Sequence, residues 1–136
     1  MNETTPGQTR VQARARARAN ELPGAECSHP FGEQVDVFKV CGKMFMMHTE
    51  MPGQPVVVLK VTPEEGRVLQ LAYESITPGY HMNKKHWITL GPGDELSDQL
   101  IDDLVTESYL LVVEKLPARL RPVDPETFGQ GPAIRG

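Results

Sequence analysis

Val35-Asp-Val-Phe-Lys-Val40, then Cys41-Gly42, then Lys43-Met-Phe-Met-Met-His48 reads as two antiparallel strands around a tight connection. β-Branched and aromatic residues fill both runs, and Gly42 supplies the unusual backbone angles of the turn. Met51-Pro-Gly-Gln-Pro55 makes the next loop. Val56-Val-Val-Leu-Lys-Val61 is then a third strand, with a β-branched density that suits the centre of a sheet better than its edge. Four methionines, Met44, Met46, Met47 and Met51, fall in or beside the hairpin and read as core filler rather than as a soft binding surface.

Helical signals flank this sheet. At Thr62-Pro63-Glu64-Glu65, Thr62 caps free amides, Pro63 suits the first helical position and Glu65 reaches back as in a capping box. Val68, Leu69, Ala72 and Ile76 give that helix an apolar side, and Thr77-Pro78-Gly79 ends it. Upstream, the arginine- and alanine-rich run from Arg10 to Ala19 has good helix propensity. Val11, Ala15, Ala19 and Leu22 form a thin apolar stripe, with Arg10, Arg14 and Arg18 beside it and Leu22-Pro23-Gly24 as the stop. The reading preferred for those arginines is a solvated face, ahead of a phosphate-contacting stripe. Downstream, Asn83 suits a turn and Trp87 to Leu90 a strand. Ser97 caps a last helix whose Leu100, Ile101, Leu104, Val105, Leu111 and Val112 make the main core face, with Asp98, Asp102, Asp103, Glu107 and Glu114 on a solvated side. The whole predicts a single α+β domain, a mainly antiparallel sheet with about three packed helices. Residues 1–9 are expected to be a flexible N-terminus, 10–118 the domain, and 119–136 a Pro/Gly-rich mobile tail.

The chain has 136 residues, 15.1 kDa and two cysteines. That is enough to bury a core without metal or disulfide staples, so Cys27 and Cys41 are expected as reduced thiols. No run suits a membrane span, and Met1 to Gly7 lacks a secretory pattern. A cytoplasmic protein is expected, and a monomer, because no heptad pattern or long apolar edge asks for a partner. The net charge of −4 argues against a globally basic coat for nucleic acid. Its distribution is uneven. Residues 1–90 carry ten Lys/Arg against nine Asp/Glu, and residues 91–136 four against nine, so a polyanion is expected to meet the first part of the chain.

Few constellations carry chemistry. His81 and His86 flank a turn but match no standard metal spacing, and His29 and His48 have no partners nearby in sequence. Ser75, Ser97 and Ser108 lie outside any nucleophile elbow, neither cysteine adjoins a recognisable base, and Gly53, Gly91 and Gly93 form no phosphate-cradling loop. No enzyme, cofactor or metal is expected. What remains is His81, Asn83, Lys84, Lys85, His86 and Trp87. Two adjacent ammonium groups hold phosphates, while an amide, imidazole or indole contacts or stacks on a base. The alternative is that Trp87 anchors the strand in the core and the lysines stand in water. A second binding alternative makes His81, Asn83 and Trp87 the inward-facing wall of a pocket for a protein or small ligand.

Leu22-Pro-Gly-Ala-Glu26, Phe38-Lys39, Gly42-Lys-Met-Phe45, Leu59-Lys60, His81-Met-Asn-Lys84 with His86-Trp87, and Ser108-Tyr109 together resemble the MmcQ/YjbR family. The succession covers about residues 10–118, and its most specific part is the HxNKxHW cluster. The resemblance implies a compact α+β fold similar to the bacterial frataxin homologue CyaY and to a double-wing DNA-binding domain. It also implies DNA as the partner. Carried onto this chain, the signature falls on His81, Asn83, Lys84, His86 and Trp87, with Lys43 and Lys60 as further matching basic positions. Iron binding is not carried over, because arginines fill the N-terminal helix where an acidic ridge would be required.

Overall fold

The apolar stripe along the arginine run becomes the buried side of a helix. In the computed structural model, which describes residues 9–128, α1 spans Arg10–Ala19 and the Thr9 hydroxyl accepts from the Gln12 amide. Val11, Ala15, Ala19 and Leu22 are all buried. The strands are β1 (Ala25–Ser28), β2 (Asp36–Val40), β3 (Lys43–Met51), β4 (Gln54–Lys60), β5 (Ile76–Pro78) and β6 (Trp87–Leu90). They form one sheet in the order β1-β2-β3-β4-β6-β5, antiparallel at every pairing. The helices α2 (Pro63–Ala72) and α3 (Asp98–Val113) complete the expected α+β domain of three helices, and a 3₁₀ turn follows at Ala118–Leu120. No helix among the described residues is long and apolar enough to cross a membrane.

α1 and α3 cover one face of the sheet, where Phe38, Phe45, Met46, Leu59, Ile88, Ile101 and Tyr109 belong to the main core. The opposite face carries a smaller cluster, Val37, Met47, Val58 and Trp87, flanked by Val35, Met44, Tyr80 and Met82. A register shift between β2 and β3 at Phe38/Lys39 leaves Phe45 as an extra residue on β3. Phe45 and Met46, though adjacent, are therefore both buried in the main core. Beyond the last β3–β4 rung, Met46↔Leu59, Ser108 of α3 replaces the ladder. Its hydroxyl accepts from the Lys60 amide at 2.9 Å and donates to the Phe45 carbonyl. Tyr109 beside it donates to the Pro23 carbonyl at 2.5 Å, and its ring meets Phe45 edge-on.

The arginine face is half-exposed, but its cations are not free. Arg14 grips both oxygens of Asp102 through Nε (2.9 Å) and Nη2 (2.6 Å). Arg10 pairs with Asp98 and also donates to the Leu96 carbonyl. Arg18 reaches Thr106 at 2.8 Å and Glu21 at 2.7 Å, and Arg16 turns to Asp36 on β2. Asp98 and Asp102, expected on a solvated side, are the α3 half of this seam.

Three local differences have physical causes. α2 ends at Ala72, and Ile76 lies in β5 paired with Leu90. The helix faces the sheet through Gly66 and Leu69, so Val68 is turned outward, 62% exposed. A Cβ on Gly66 would stand 3.1 Å from Val61 Cγ2, so the missing side chain permits the close approach. Only the Thr62 half of the capping box forms, accepting from the Glu65 amide at 3.2 Å. The packed chain also runs past residue 118: Arg121 donates to the carbonyls of Leu116 and Glu114, and Val123 and Phe128 lie against the core. The rest of the expected tail, 129–136, and residues 1–8 of the expected N-terminus lie outside the described residues.

Two stability predictions follow from this core. Ser108→Ala removes one hydroxyl that serves two backbone groups, and a loss of about 1–3 kcal/mol is expected in urea denaturation. Parental stability would show that the bridge contributes nothing. His48 is buried with neither ring nitrogen hydrogen-bonded. Burial, with the nearby Arg16 charge adding to it and Asp36 opposing it, brings its pKa from 6.5 down to about 3. The unfolded chain thus takes up this proton near pH 6.5 and the folded chain only near pH 3. Stability present above that window is lost as the pH falls through it, by at most about 1.4 kcal/mol per unit. His48→Leu is expected to flatten the acid limb of the stability profile between pH 6.5 and 4, and an unchanged slope would count against it.

Candidate functional site

Antiparallel pairing alone sets where the candidate lysines stand. Lys39 lies opposite Met44, Lys43 opposite Val40, and Lys60 opposite Trp87. Lys39, next to last in β2, and Lys60, last in β4, therefore lie at the same end of the sheet where Lys43 begins β3 and Trp87 begins β6. Lys84, Lys85 and His86 lead directly into Trp87. Alternation along β2 and β4 puts Lys39 with Val37, and Lys60 with Val58, on the face away from α1 and α3.

The segment before Trp87 is a tied loop. The Gly79 amide donates to the Trp87 carbonyl at 2.9 Å and the Tyr80 amide to Thr89 Oγ1 at 2.8 Å. Thr89 in turn donates to the Pro78 carbonyl. Asn83 Oδ1 accepts from the Lys85 amide at 2.8 Å, closing an Asx turn, and the His86 carbonyl accepts from the Val61 amide at 2.9 Å. His81 takes a left-handed φ of 64° and its ring lies 4.0 Å from that of Tyr80. His81, Asn83, Lys84, Lys85 and His86 are exposed, as is Lys43.

Trp87 differs. It is only 9% exposed, packed in the cluster with Val58 and Met47, so its indole is not a plate on which a base stacks. Instead it supports a cation: Lys60 Nζ stands 5.1 Å from the ring centroid. Lys84 is partly engaged too, its ammonium donating to the Gly79 carbonyl. Sequence reasoning left out Lys39, although its alternation with Val37 on β2 was the available signal.

No carboxylate holds a lysine at this edge. Among the described residues every ion pair uses an α1 arginine or His29, and none uses a lysine. Glu26 faces Lys39 across the β1–β2 register without forming a pair. The pocket alternative lacks its walls, because His81 and Asn83 are exposed and Trp87 is packed into the sheet. A groove of about 860 Å³ does exist, but its lining includes Glu65, Asp103, Glu107, Leu110 and Phe128 along α2, α3 and the chain after α3. Burial and then the charges of Glu65, Asp103 and Glu114 push the Glu107 carboxyl up.

A family model described as YjbR matches residues 20–111. The uncharacterized protein YbdF of Escherichia coli O157:H7 is 49% identical over 105 residues, covering 77% of this chain and 86% of that protein. The uncharacterized protein YjbR of Escherichia coli K12 is 35% identical over 99 residues, covering 73% and 84%. The crystal structure of Deinococcus radiodurans protein DR2400, domain DUF419, superposes with a TM-score of 0.73 at 36% identity, over 88% of this chain and 89% of that one. A Pseudomonas syringae protein gives 0.64 at 27% identity, over 76% and 98%.

The loop's attachment can be tested at Gly79. A Cβ there would lie 2.5 Å from Trp87 Cβ and 3.0 Å from the Trp87 backbone. Gly79→Ala is therefore expected to lose about 1–3 kcal/mol in thermal melts, as overpacked sites do, and to shift the fluorescence of the single tryptophan. A variant with parental stability and emission would show that the loop moves aside freely.

Proposed function

The chain belongs to the YjbR family, and on that premise we propose that it binds DNA through the lysine edge, as a cytoplasmic monomer and without catalysis. Lys39, Lys43, Lys60, Lys84 and Lys85 contact phosphates, and the Asn83 amide or the His86 ring reaches a base edge. The observation that carries this reading is the sorting of charge: the lysines gathered at one end of the sheet, Lys39 and Lys60 on its open face and Lys43, opposite Val40, toward the other, have no ion-pair partners, whereas all four α1 arginines are paired. A polyanion gains little by competing for arginines already held by carboxylates. It gains more from ammonium groups that no carboxylate holds, because phosphate contact releases condensed counterions.

The acidic balance shapes the interaction without preventing it. The carboxylates Asp98 and Asp102 sit on the helix side, in the α1–α3 seam, while Lys39 and Lys60 face away from it. Repulsion at long range weakens encounter, and contact at the edge is local. Lys60 above the Trp87 ring is held in place rather than free to swing, which reduces the ordering cost of a phosphate contact.

Titration of a short fluorescent duplex at several salt concentrations tests this directly. Affinity is expected to fall with added salt at a log–log slope of about −0.9 per phosphate neutralised, so roughly −3 to −5 for three to five lysines. Lys84→Gln with Lys85→Gln is expected to lower the slope magnitude by about 1–2, while Arg18→Gln leaves it unchanged. No salt-sensitive binding at micromolar protein, or a slope that moves with Arg18 and not with the lysines, refutes the assignment.

A further inference from the structure

A second constellation lies on the helix-covered face, at the other end of β2. Cys27 lies opposite Phe38, Ser28 opposite Val37, and Asp36 opposite His48 in the sheet register. His29, one residue past β1, continues the row toward Asp36, and its Nε2 lies 2.7 Å from Asp36 Oδ1. Sequence spacing hides this group, because Cys27-Ser-His29 and Asp36 belong to different strands joined by a loop. One donor atom each from Cys27, His29 and Asp36 falls within 4.8 Å of the other two.

We propose that Cys27, His29 and Asp36 form a binding site for a zinc-class divalent ion, with its fourth position open to solvent. Thiolate, imidazole and carboxylate are the three ligand types such an ion takes, and three protein ligands with one open position is a common arrangement. Tetrahedral ligands at bond lengths of roughly 2.0–2.3 Å stand about 3.5 Å apart. The ion therefore separates the His29–Asp36 pair slightly and draws Cys27 inward. Cys27 and His29 are exposed and lie at the sheet's edge strand or just beyond it, where such movement meets little packing. On binding, Cys27 gives up its thiol proton to solvent and neutral His29 offers one ring nitrogen.

Two further features fit an ion there. Arg16 engages Asp36 Oδ2, leaving Oδ1 as the ligand atom, and is itself fixed with its guanidinium carbon 5.4 Å from the Phe38 ring centroid. A ligating carboxylate oriented through its other oxygen is the usual outer-shell arrangement. His48, opposite Asp36 on the same face, is almost fully buried and has both ring nitrogens without a partner. An unsatisfied buried imidazole in that row is costly, which marks this corner of the sheet as one whose polar groups the chain alone does not satisfy.

The test uses the full chain with metal alone. Cobalt(II) is expected to give thiolate charge-transfer absorption in the near ultraviolet with tetrahedral visible bands. Zinc is expected to bind at one equivalent and displace the cobalt. Cys27→Ser should abolish the charge-transfer band, and His29→Gln should weaken zinc affinity at least 10-fold. His81→Asn with His86→Asn should change neither, with circular dichroism confirming that each variant is folded. The proposal is overturned by no binding to the parental chain, by a band that persists in Cys27→Ser, or by affinity that depends on His81 and His86 rather than on His29.

Discussion

The guanidinium–carboxylate seam between α1 and α3 decides which charges this protein has available. Arg10, Arg14 and Arg18 sit one helical turn apart and meet Asp98, Asp102 and Thr106, which are spaced by four residues along α3. Matched i, i+4 rows on two packed helices align because each helix returns to the same face in just over three residues. Each exposed pair adds little stability by itself. Their collective effect is on register and on charge: they fix how α1 lies beside α3, and they remove the arginines from any contest for an external anion. The excess of acid in the last third of the chain is in part the counter-charge of its first helix.

With the arginines paired, the character of the remaining surface depends on how the sheet ends. The extra residue at Phe45 lets β3 send two consecutive aromatic and apolar side chains into the main core, and Ser108 then bridges the point where β3 and β4 stop pairing. That single hydroxyl ties the Lys60 backbone to α3. The Lys60 side chain on the other face is thereby fixed over Trp87. The HxNKxHW segment works in the same way. Its asparagine builds a turn and its tryptophan closes the second hydrophobic cluster, while Lys84, Lys85 and His86 stand on that frame. Residues that look like a recognition motif are thus about half scaffold.

Most of the fold was legible where local chemistry and burial agree. Val56 to Leu59 could only be a central strand, the Thr62-Pro63 and Ser97 caps placed two helices, and Val11, Ala15 and Ala19 marked the buried stripe of the first. The misreadings came from partners remote in sequence. Nothing near Arg14 announces Asp102, 88 residues away, so a solvated face was the natural reading. β1 lacks the β-branched residues that signal a strand and exists because β2 offers it a free edge. Ile76 has the right spacing for α2 but is drawn off by Leu90 on β6. At the site, the cationic cluster was readable as a list, and Lys39 was missed because its role comes from pleat alternation rather than from a motif.

β2 shows how far five residues can separate two kinds of chemistry. Asp36 and Phe38 face the helices; Val37 and Lys39 face away. The acid therefore lies beneath Arg16 and beside His29, in a part-buried setting where burial raises its pKa but hydrogen bonds from Arg16 and His29 outweigh that and hold it below the usual carboxylate range. The lysine three positions on stands on the open face with no carboxylate paired to it. A one-residue slip of β2 would exchange these faces, turning Lys39 toward the helix side and taking Asp36 away from Arg16, while Phe38 would leave the main core, all of which the packed helices oppose. The same alternation keeps any ion held by Cys27, His29 and Asp36 on the helix side of the sheet, away from Lys39 and Lys60. Occupancy of one face is therefore expected to leave the proposed phosphate contacts of the other unchanged.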